Sequence, residues 1–406
     1  MTTRMRTTAE TVESRTNPTP VDRLRELWDP TGCLLSVFIT IPPDPTALRE
    51  FPARLDRLLA TARPVGVDAA AGRRVRAARV AARETGVAQA REWFGRTVAI
   101  VTSGDGGVLE EMRLPCAVPD RAVFGRRPYL RPLVRAKQAC RPYAVVVIDR
   151  RQAWQFEISG DAIHRVRRLE GESTRGHTHA GWYGLEEYRD RHHQAELAHR
   201  HYEAAAAALQ ELAPADGYSL VVGGHKDGVE EFLTSLPVPL RDRVAGTFAV
   251  DPHTMTPHVV HARAAAVVAE RETTRQQRVA DDLAKWEAAG LAVSGVERCA
   301  EMVSKSLADL LVVRGDDPVP GSVCDQCGGL TMDLYHCRNC KTVAHQVFDV
   351  IDEMVARMLD TGGKIDLGSR EHVGFSVAAR LRHSALAHGG RQQAPNDTDA
   401  EPPRSA

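Results

Sequence analysis

Apolar and polar positions change period several times along this chain, and each change marks an element. Residues 34–41 (LLSVFITI) are a continuous apolar run stopped by Pro42-Pro43, the pattern of a buried strand. A short helix at 22–28, ended by Pro30-Thr31-Gly32, precedes it, and residues 48–59 and 75–93 read as helices after it. Residues 97–102 and 108–114, joined by Gly104-Asp105-Gly106-Gly107, predict a hairpin. Residues 144–148 (AVVVI) predict a central strand, and Trp154, Phe156 and Ile158 alternate with polar residues as its half-exposed partner. Residues 163–166 continue that meander. Residues 218–222, closed by Gly223-Gly224, and residues 247–250 add strands on either side of a helix at 229–236.

Two helical patterns differ from the rest in length. Apolar residues recur at Leu185, Tyr188, Ala195, Ala198, Tyr202, Ala205, Leu209 and Leu212, an amphipathic helix of about seven turns. Immediately before it, residues 175–184 hold three glycines, two histidines and no aliphatic residue larger than alanine, a composition suited to an exposed loop. Residues 257–289 form a polar-faced helix with Pro257 in its first turn. At about 45 Å it is long enough to join domains. Beyond it come a helix at 296–309, a strand at 310–313, a cysteine-rich segment, a helix at 343–359 and a strand at 364–367 after Gly362-Gly363.

The order predicts three mixed α/β (α+β) domains, the second with a protruding glycine loop and long helix, the third with a four-cysteine insertion. The expected boundaries are a disordered tail at 1–20, an N-terminal α/β domain at 21–120 and a central domain at 121–256. A connecting helix at 257–290 then leads to a C-terminal αβα domain at 291–388, with its insertion at 322–342, and a disordered tail at 389–406. A chain of 406 residues is long enough to bury that many cores. No apolar run reaches the roughly 18 residues of a membrane span, and the first twenty residues lack the apolar centre of a secretory signal. The expectation is a cytoplasmic protein without a membrane partner.

The formal net charge is zero, so any argument for a polyanionic partner must be local. Between Arg121 and Arg168 there are twelve Lys and Arg against three Asp and Glu, with Tyr129, Tyr143 and Trp154 among them. That bias has two readings: a solvated surface with arginine stems lying over a small sheet, or a face that tracks RNA phosphates. Arg126, Arg127, Arg131, Arg150 and Arg151 are the candidate contacts under the second.

Four of the eight cysteines are scattered (Cys33, Cys116, Cys140, Cys299) and four form two x2 pairs, Cys324/Cys327 and Cys337/Cys340. Each x2 turn lets two sulfurs meet one ion, and Zn²⁺ prefers four such ligands in a closed tetrahedron. A closed site has no open position for water, so its role is structural; iron is the alternative metal. Reduced thiols with one metal site fit a cytoplasmic protein better than disulfides.

Six of the sixteen histidines fall between 175 and 202. No two of them are four apart on the helix and there is no HExxH, so they do not make a helical metal site. His192 and His199 share the stripe of Leu185 and are expected in a core or interface; His193 and His201 lie off it and are expected to be solvated or facing RNA. His177 and His179 are weak candidates for acid–base groups or phosphate contacts. Gly223-Gly224-His225-Lys226 lacks the spacing of a phosphate loop and reads as a strand-end turn.

The run YAVVVIDRRQAWQFEISGDAIHRVRRLEG, a glycine loop, a long helix, then YSLVVGGHKDGVEEFL and TFAVD, resembles the central domain of the archaeo-eukaryotic peptide release factor and Pelota superfamily. It is most similar to the bacterial branch, that of the Balon-like ribosome hibernation factors. The third unit fits the same pattern through GFSVAARLR at 374–382, so the resemblance covers roughly 142–382. It implies a first domain in the decoding centre, a central loop at the peptidyl transferase centre and a third domain that contacts a GTPase such as elongation factor Tu. In the family a Gly-Gly-Gln motif lets glutamine help water attack peptidyl-tRNA. Here Arg175-Gly176-His177 stands in that place, or Ala180-Gly181-Trp182-Tyr183-Gly184 stands in place of a Gly-Gly-Trp-x-Gln form; in both alignments one glycine remains and the glutamine does not. The Asn-Ile-Lys-Ser stop-codon motif is also missing.

The resemblance therefore implies a factor that binds the ribosomal A site, between rRNA and the tRNA site, for hibernation or rescue without hydrolysis. Arg175, His177, His179, Gly181 and Trp182 would be the loop's RNA contacts. Two alternatives stand beside it: a peptidyl-tRNA or tRNA hydrolase using His177 or His179 in place of the glutamine, and a general RNA-binding protein with a structural zinc.

Overall fold

The computed structural model describes residues 6–7, 20–64, 71–171, 185–212, 218–368 and 375–383. It divides into two compact units, Met1–Arg278 and Val279–Ala406.

The first unit contains two sheets. One is antiparallel, in the order Val108–Leu114, Thr97–Thr102, Leu34–Thr40, Arg121–Gly125. The predicted hairpin is present, its turn held by the Asp105 carboxylate, which accepts the Gly107 N–H. Helices Pro45–Thr61 and Gly72–Gln89 cover one face through Phe51, Leu55, Val75, Ala78 and Ala82, packed on Leu35, Val37, Ile39, Val98 and Ile100. Asp44 caps the first of these helices by accepting the Ala47 N–H, which satisfies an otherwise unpaired donor. The edge strand Arg121–Gly125 and the helix Arg131–Ala139 were not anticipated. Both are short and lie in a basic stretch, so the flanking charge masked the apolar positions Val123, Phe124, Leu133 and Val134 that bury them.

The second sheet is mixed, in the order Arg6–Thr7, Ala162–Glu170, Gln152–Ser159, Tyr143–Ile148, Ser219–Gly224, Val244–Ala249. The last three strands run parallel and the others antiparallel. Strand Tyr143–Ile148 is buried on both sides. Ala144, Val146 and Ile148 face the helices Leu185–Leu212 and Lys226–Ser235, while Tyr143, Val145 and Val147 pack with Val260 and Ala264 of helix Pro257–Ala288. Helices on both faces explain why this strand is a continuous β-branched run instead of an alternating one.

Helix Leu185–Leu212 corrects the histidine assignment. Its buried face is Ala198, His201, Tyr202, Ala205, Leu209 and Leu212; His201 is 5% exposed, whereas His192 and His193 are exposed. The His199 side chain is 59% exposed and lies 3.4 Å from Glu203. A seven-residue step drifts by about 20° per repeat on a straight helix, so a stripe extrapolated from Leu185 leaves the true face by His199. Residues 192–196 are all exposed, so this part of the helix stands clear of the core that holds its C-terminal half.

The second unit has a four-stranded sheet, Ala292–Ser294, Val377–Leu381, Ala308–Arg314, Lys364–Gly368, with helices Val296–Ser304 and Val350–Asp360. The expected helix from 343 starts only at Val350, where Asp349 caps it by accepting the Ile351 N–H. Ala344–Val347 instead pairs with Gly321–Cys324 in a separate three-stranded ribbon that also includes Leu330–Thr331. Pairing across the ribbon overrides local helical preference there. At the end of strand Ala308–Arg314 the buried Arg314 guanidinium donates to the Val313 and Asp366 carbonyls, both at 3.1 Å, and faces the Asp366 carboxylate at 3.4 Å.

Candidate functional site

The ribbon brings the four predicted cysteines together. Their sulfurs all lie within 4.8 Å of one another, with Cys324 to Cys340 and Cys327 to Cys337 both at 3.4 Å and Cys340 to Cys327 at 3.7 Å. Tetrahedral Zn–S bonds of about 2.3 Å put sulfurs about 3.8 Å apart, so the constellation has the size of a four-thiolate metal site.

The two x2 turns are built alike. The residue after each pair takes a left-handed backbone, Gly328 at φ 67° and Lys341 at φ 60°, and its N–H donates to the carbonyl of the pair's first cysteine at 2.9 Å. Glycine suits that conformation at 328; at 341 a lysine accepts the strain, which the sequence did not announce. The Arg357 guanidinium donates to the Gly328 carbonyl at 2.9 Å, the Leu330 N–H donates to the Ser304 hydroxyl at 2.8 Å, and Arg338 pairs with Glu297. These contacts tie the ribbon to both helices of its unit.

Four thiols this close cannot all ionise without a cation among them. Burial works against ionisation of Cys324, but the Thr342 hydroxyl and the backbone N–H groups of Cys327 and Gln326 bring it down to about 6. Burial and the neighbouring sulfurs push Cys327 up to about 12. A divalent cation bound there would resolve that conflict by taking the place of the protons. His345 lies beside the ribbon, its Nδ1 2.8 Å from the Asp325 carboxylate.

The basic candidates are dispersed. Arg126 and Arg127 stack over the ring of Trp28 at 6.0 and 5.5 Å from its centroid, and Trp28 is 50% exposed. That aromatic is a surface residue the sequence did not single out, because the arginines that frame it are about a hundred residues away. Arg131 is 3% exposed, so its guanidinium is not a surface phosphate contact. Arg150 forms a two-pronged ion pair with Glu231 at 2.7 and 3.3 Å, and Glu231 also accepts from the Tyr202 hydroxyl at 3.2 Å. The Arg150 guanidinium is the first cause that holds the Glu231 carboxyl below its usual range. Arg151 is exposed. Arg168 stacks over Trp154 at 4.9 Å. Arg175, His177, His179, Gly181 and Trp182 lie outside the described residues.

His201 is the buried titratable group of the long helix. Desolvation lowers its pKa, partly opposed by a hydrogen bond with the Gln152 backbone, and its Nε2 has no hydrogen-bond partner. No helix among the described residues is long and apolar enough to cross a membrane.

With this geometry in place, residues 128–271 match the model of bacterial archaeo-eukaryotic release factor family 10. The matched segment comprises the helix Arg131–Ala139, most of the mixed sheet, the long helix Leu185–Leu212 and the first half of Pro257–Ala288. The middle of the chain is thus similar to that family, and the superfamily resemblance read from the sequence is borne out there. No curated protein matches the chain.

Among solved structures, Archaeoglobus fulgidus Pelota is 14% identical, with 72% of this chain and 80% of that chain covered and a TM-score of 0.33. Dom34 of S. cerevisiae, described as a translation termination-like factor involved in RNA quality control pathways and interacting with Hbs1, is 10% identical. That alignment covers 72% of this chain and 81% of Dom34, at a TM-score of 0.38. The archaeal translation termination factor aRF1 is 14% identical, covers 89% of this chain and 95% of its own, and has a TM-score of 0.23.

Proposed function

We propose that this protein is a cytoplasmic, ribosome-associated translation factor of the release-factor type that fills the A site for hibernation or rescue without Gly-Gly-Gln hydrolysis. The observation that carries this reading is the family match over residues 128–271, which includes the long helix whose residues 192–196 stand exposed. Residues 172–184, with the loop in which no glutamine replaces the family's own, lead directly into the head of that helix. A helix clear of the core is a rigid arm, and it would carry the loop toward rRNA and the tRNA site. Arg175, His177, His179, Gly181 and Trp182 are proposed as its RNA contacts, with Arg126, Arg127 and Arg151 as phosphate contacts nearer the body. The same reading divides the chain at the boundaries given above and makes the third domain the partner of a translational GTPase such as elongation factor Tu. The four cysteines hold Zn²⁺ in a structural role.

Phosphate contacts release counterions, so binding is expected to weaken steeply as salt rises. The test is co-sedimentation of the purified protein with vacant ribosomes across a salt series. Protein in the ribosomal fraction at low salt, displaced as salt rises, is the expected result; protein that stays at the top of a low-salt gradient overturns the reading. Peptidyl-tRNA hydrolysis measured in the same samples is expected to stay at background.

A further inference from the structure

Three tryptophans have an arginine over the ring, and Trp28 differs from the other two. Trp154 and Trp286 are half-buried and pack against core residues. Their partners Arg168 and Arg380 are also paired with Glu170 and Asp309. Those rings are closed over by the fold. Trp28 is 50% exposed, with the guanidiniums of Arg126 and Arg127 at 6.0 and 5.5 Å from its ring centroid. A large flat apolar ring is left in water between the tips of two cations.

Both segments that supply this cluster are fixed from below. The Asp29 N–H, next to Trp28, donates to the Arg126 carbonyl at 2.8 Å, so the two segments are bonded to each other. The Asp29 carboxylate accepts from the Thr31 N–H at 2.9 Å, the Thr31 hydroxyl at 2.6 Å and the Cys33 N–H at 3.2 Å. Gly32, at φ 70°, closes that turn by donating to the Asp29 carbonyl at 3.1 Å, and Cys33 behind it is fully buried. On the other side Gly125 pairs with Leu34 at the end of the edge strand. Past the arginines, the Tyr129 N–H donates to the Ser36 hydroxyl at 3.0 Å and Leu130 is fully buried. The indole and the backbone that carries the two guanidiniums are thus set before any partner arrives.

We infer that Trp28, Arg126 and Arg127 form a stacking platform for an unpaired RNA base. The inference rests on the reading above that RNA is the partner, and adds a contact of another kind to it. A nucleobase is flat and uncharged while the backbone that carries it is anionic. The exposed indole offers the base a stacking face, and the guanidiniums beside it meet the flanking phosphate. The charge fits such an occupant, since residues 121–131 hold four arginines and no acid, with the Arg131 guanidinium turned inside. A platform already held in place loses little freedom when a base settles on it. Every base has a face that stacks, so the contact is tolerant of sequence. A base locked in a duplex has its faces covered, so the site selects single strands, loops and bulges.

The test uses the full chain at low salt with two end-labelled probes read by anisotropy: octauridylate, and an abasic strand with the same number of phosphates. Wild type is expected to bind octauridylate on the order of tenfold more tightly than the abasic strand, the size of one stacked base. Trp28→Ala should lose that preference and Trp28→Phe should keep most of it. Octauridylate should also quench a tryptophan signal in wild type that is missing from Trp28→Phe. Equal binding of the two strands by wild type overturns the inference without any variant. So does a preference that survives Trp28→Ala, or octauridylate that does not bind at all. Co-sedimentation of wild type with vacant ribosomes, run alongside, tests the ribosomal reading separately. Wild type that binds ribosomes but does not distinguish the strands overturns the platform alone; wild type that distinguishes the strands but leaves ribosomes free supports the platform and overturns the ribosomal reading.

Discussion

The central sheet and the cysteine ribbon solve the same problem by opposite means. In the sheet, Val145, Val146, Val147 and Ile148 are fully buried, and both faces are closed by helices that bring Tyr202, Leu209, Phe232 and Val260. Its cohesion comes from apolar area removed from water, with some 1.5–3 kcal/mol for each large side chain. The ribbon has three strands of two to four residues, and its buried apolar side chains are Leu330, Ala344, Cys324 and Cys337, among the described residues. Leu334, Tyr335 and Val343 point outward. Four sulfurs occupy the place where a core would be. A unit that small offsets little of its chain entropy by burial, and a metal ion held by the four sulfurs would supply cohesion that burial does not.

That contrast can be broken in several places. The largest effect is expected from removing the metal. A chelator, or Cys337→Ser, should abolish amide protection at Cys324, Gly328 and Lys341, whose backbone bonds form the two turns, because structural zinc contributes on the order of 10 kcal/mol to such units. Protection at Val145 to Ile148 should not change. Hydrogen exchange reads both regions at once, and a ribbon that keeps its protection in chelator would remove the distinction.

Next comes the sheet's own core. Phe232 is fully buried against Tyr202 at 5.8 Å between ring centroids, so Phe232→Ala should cost about 3–5 kcal/mol in urea unfolding. Bound metal per chain should stay the same; a parallel loss of metal would mean that the two regions are not independent.

A smaller effect belongs to His201. Burial lowers its pKa in the folded chain, so the unfolded chain takes up a proton first as pH falls. The stability of the folded state is then fully present above the unfolded value of about 6.5 and declines as pH drops below it toward the lower folded value. Urea midpoints at pH 7.5 and 5.5 should show a drop in the wild type and a smaller one in His201→Leu. Equal slopes would show that the imidazole is not held neutral.

The smallest change is Tyr202→Phe, which removes the hydroxyl that donates to Glu231. The Glu231 side chain is 43% exposed and already paired with Arg150, so water screens the exchange and the cost should be no more than about 1 kcal/mol. A much larger loss in the same urea assay would mark the Arg150–Glu231–Tyr202 cluster as a structural unit in its own right.

Legibility followed the strength of the local pattern. The run AVVVI had no other reading than a strand buried on both faces, and the helix predicted at 257–289 is found at Pro257–Ala288. The hairpin around Gly104-Asp105-Gly106-Gly107 and the two cysteine pairs were equally plain, since each depends on contacts within a few residues. Strand Arg121–Gly125 and helix Arg131–Ala139 were not, because their apolar runs are short and sit within a stretch of basic residues. His201 was assigned to solvent or RNA because a helical stripe followed over about four turns accumulates angular error. Residues 344–347 were assigned to a helix because nothing local says that a distant strand, Gly321–Cys324, would claim them.

By itself the sequence determined most of the elements, the two cysteine pairs that could hold a metal and the loop–helix order that resembles release factors, because periodicity, x2 spacing and glycine content act over a few residues. Only the tertiary structure decided which face of Leu185–Leu212 is buried, and that Arg131 lies inside while Trp28 lies out between two arginines. Those outcomes depend on which surfaces are brought together across tens of residues, and burial, unlike periodicity, is a property of the neighbours.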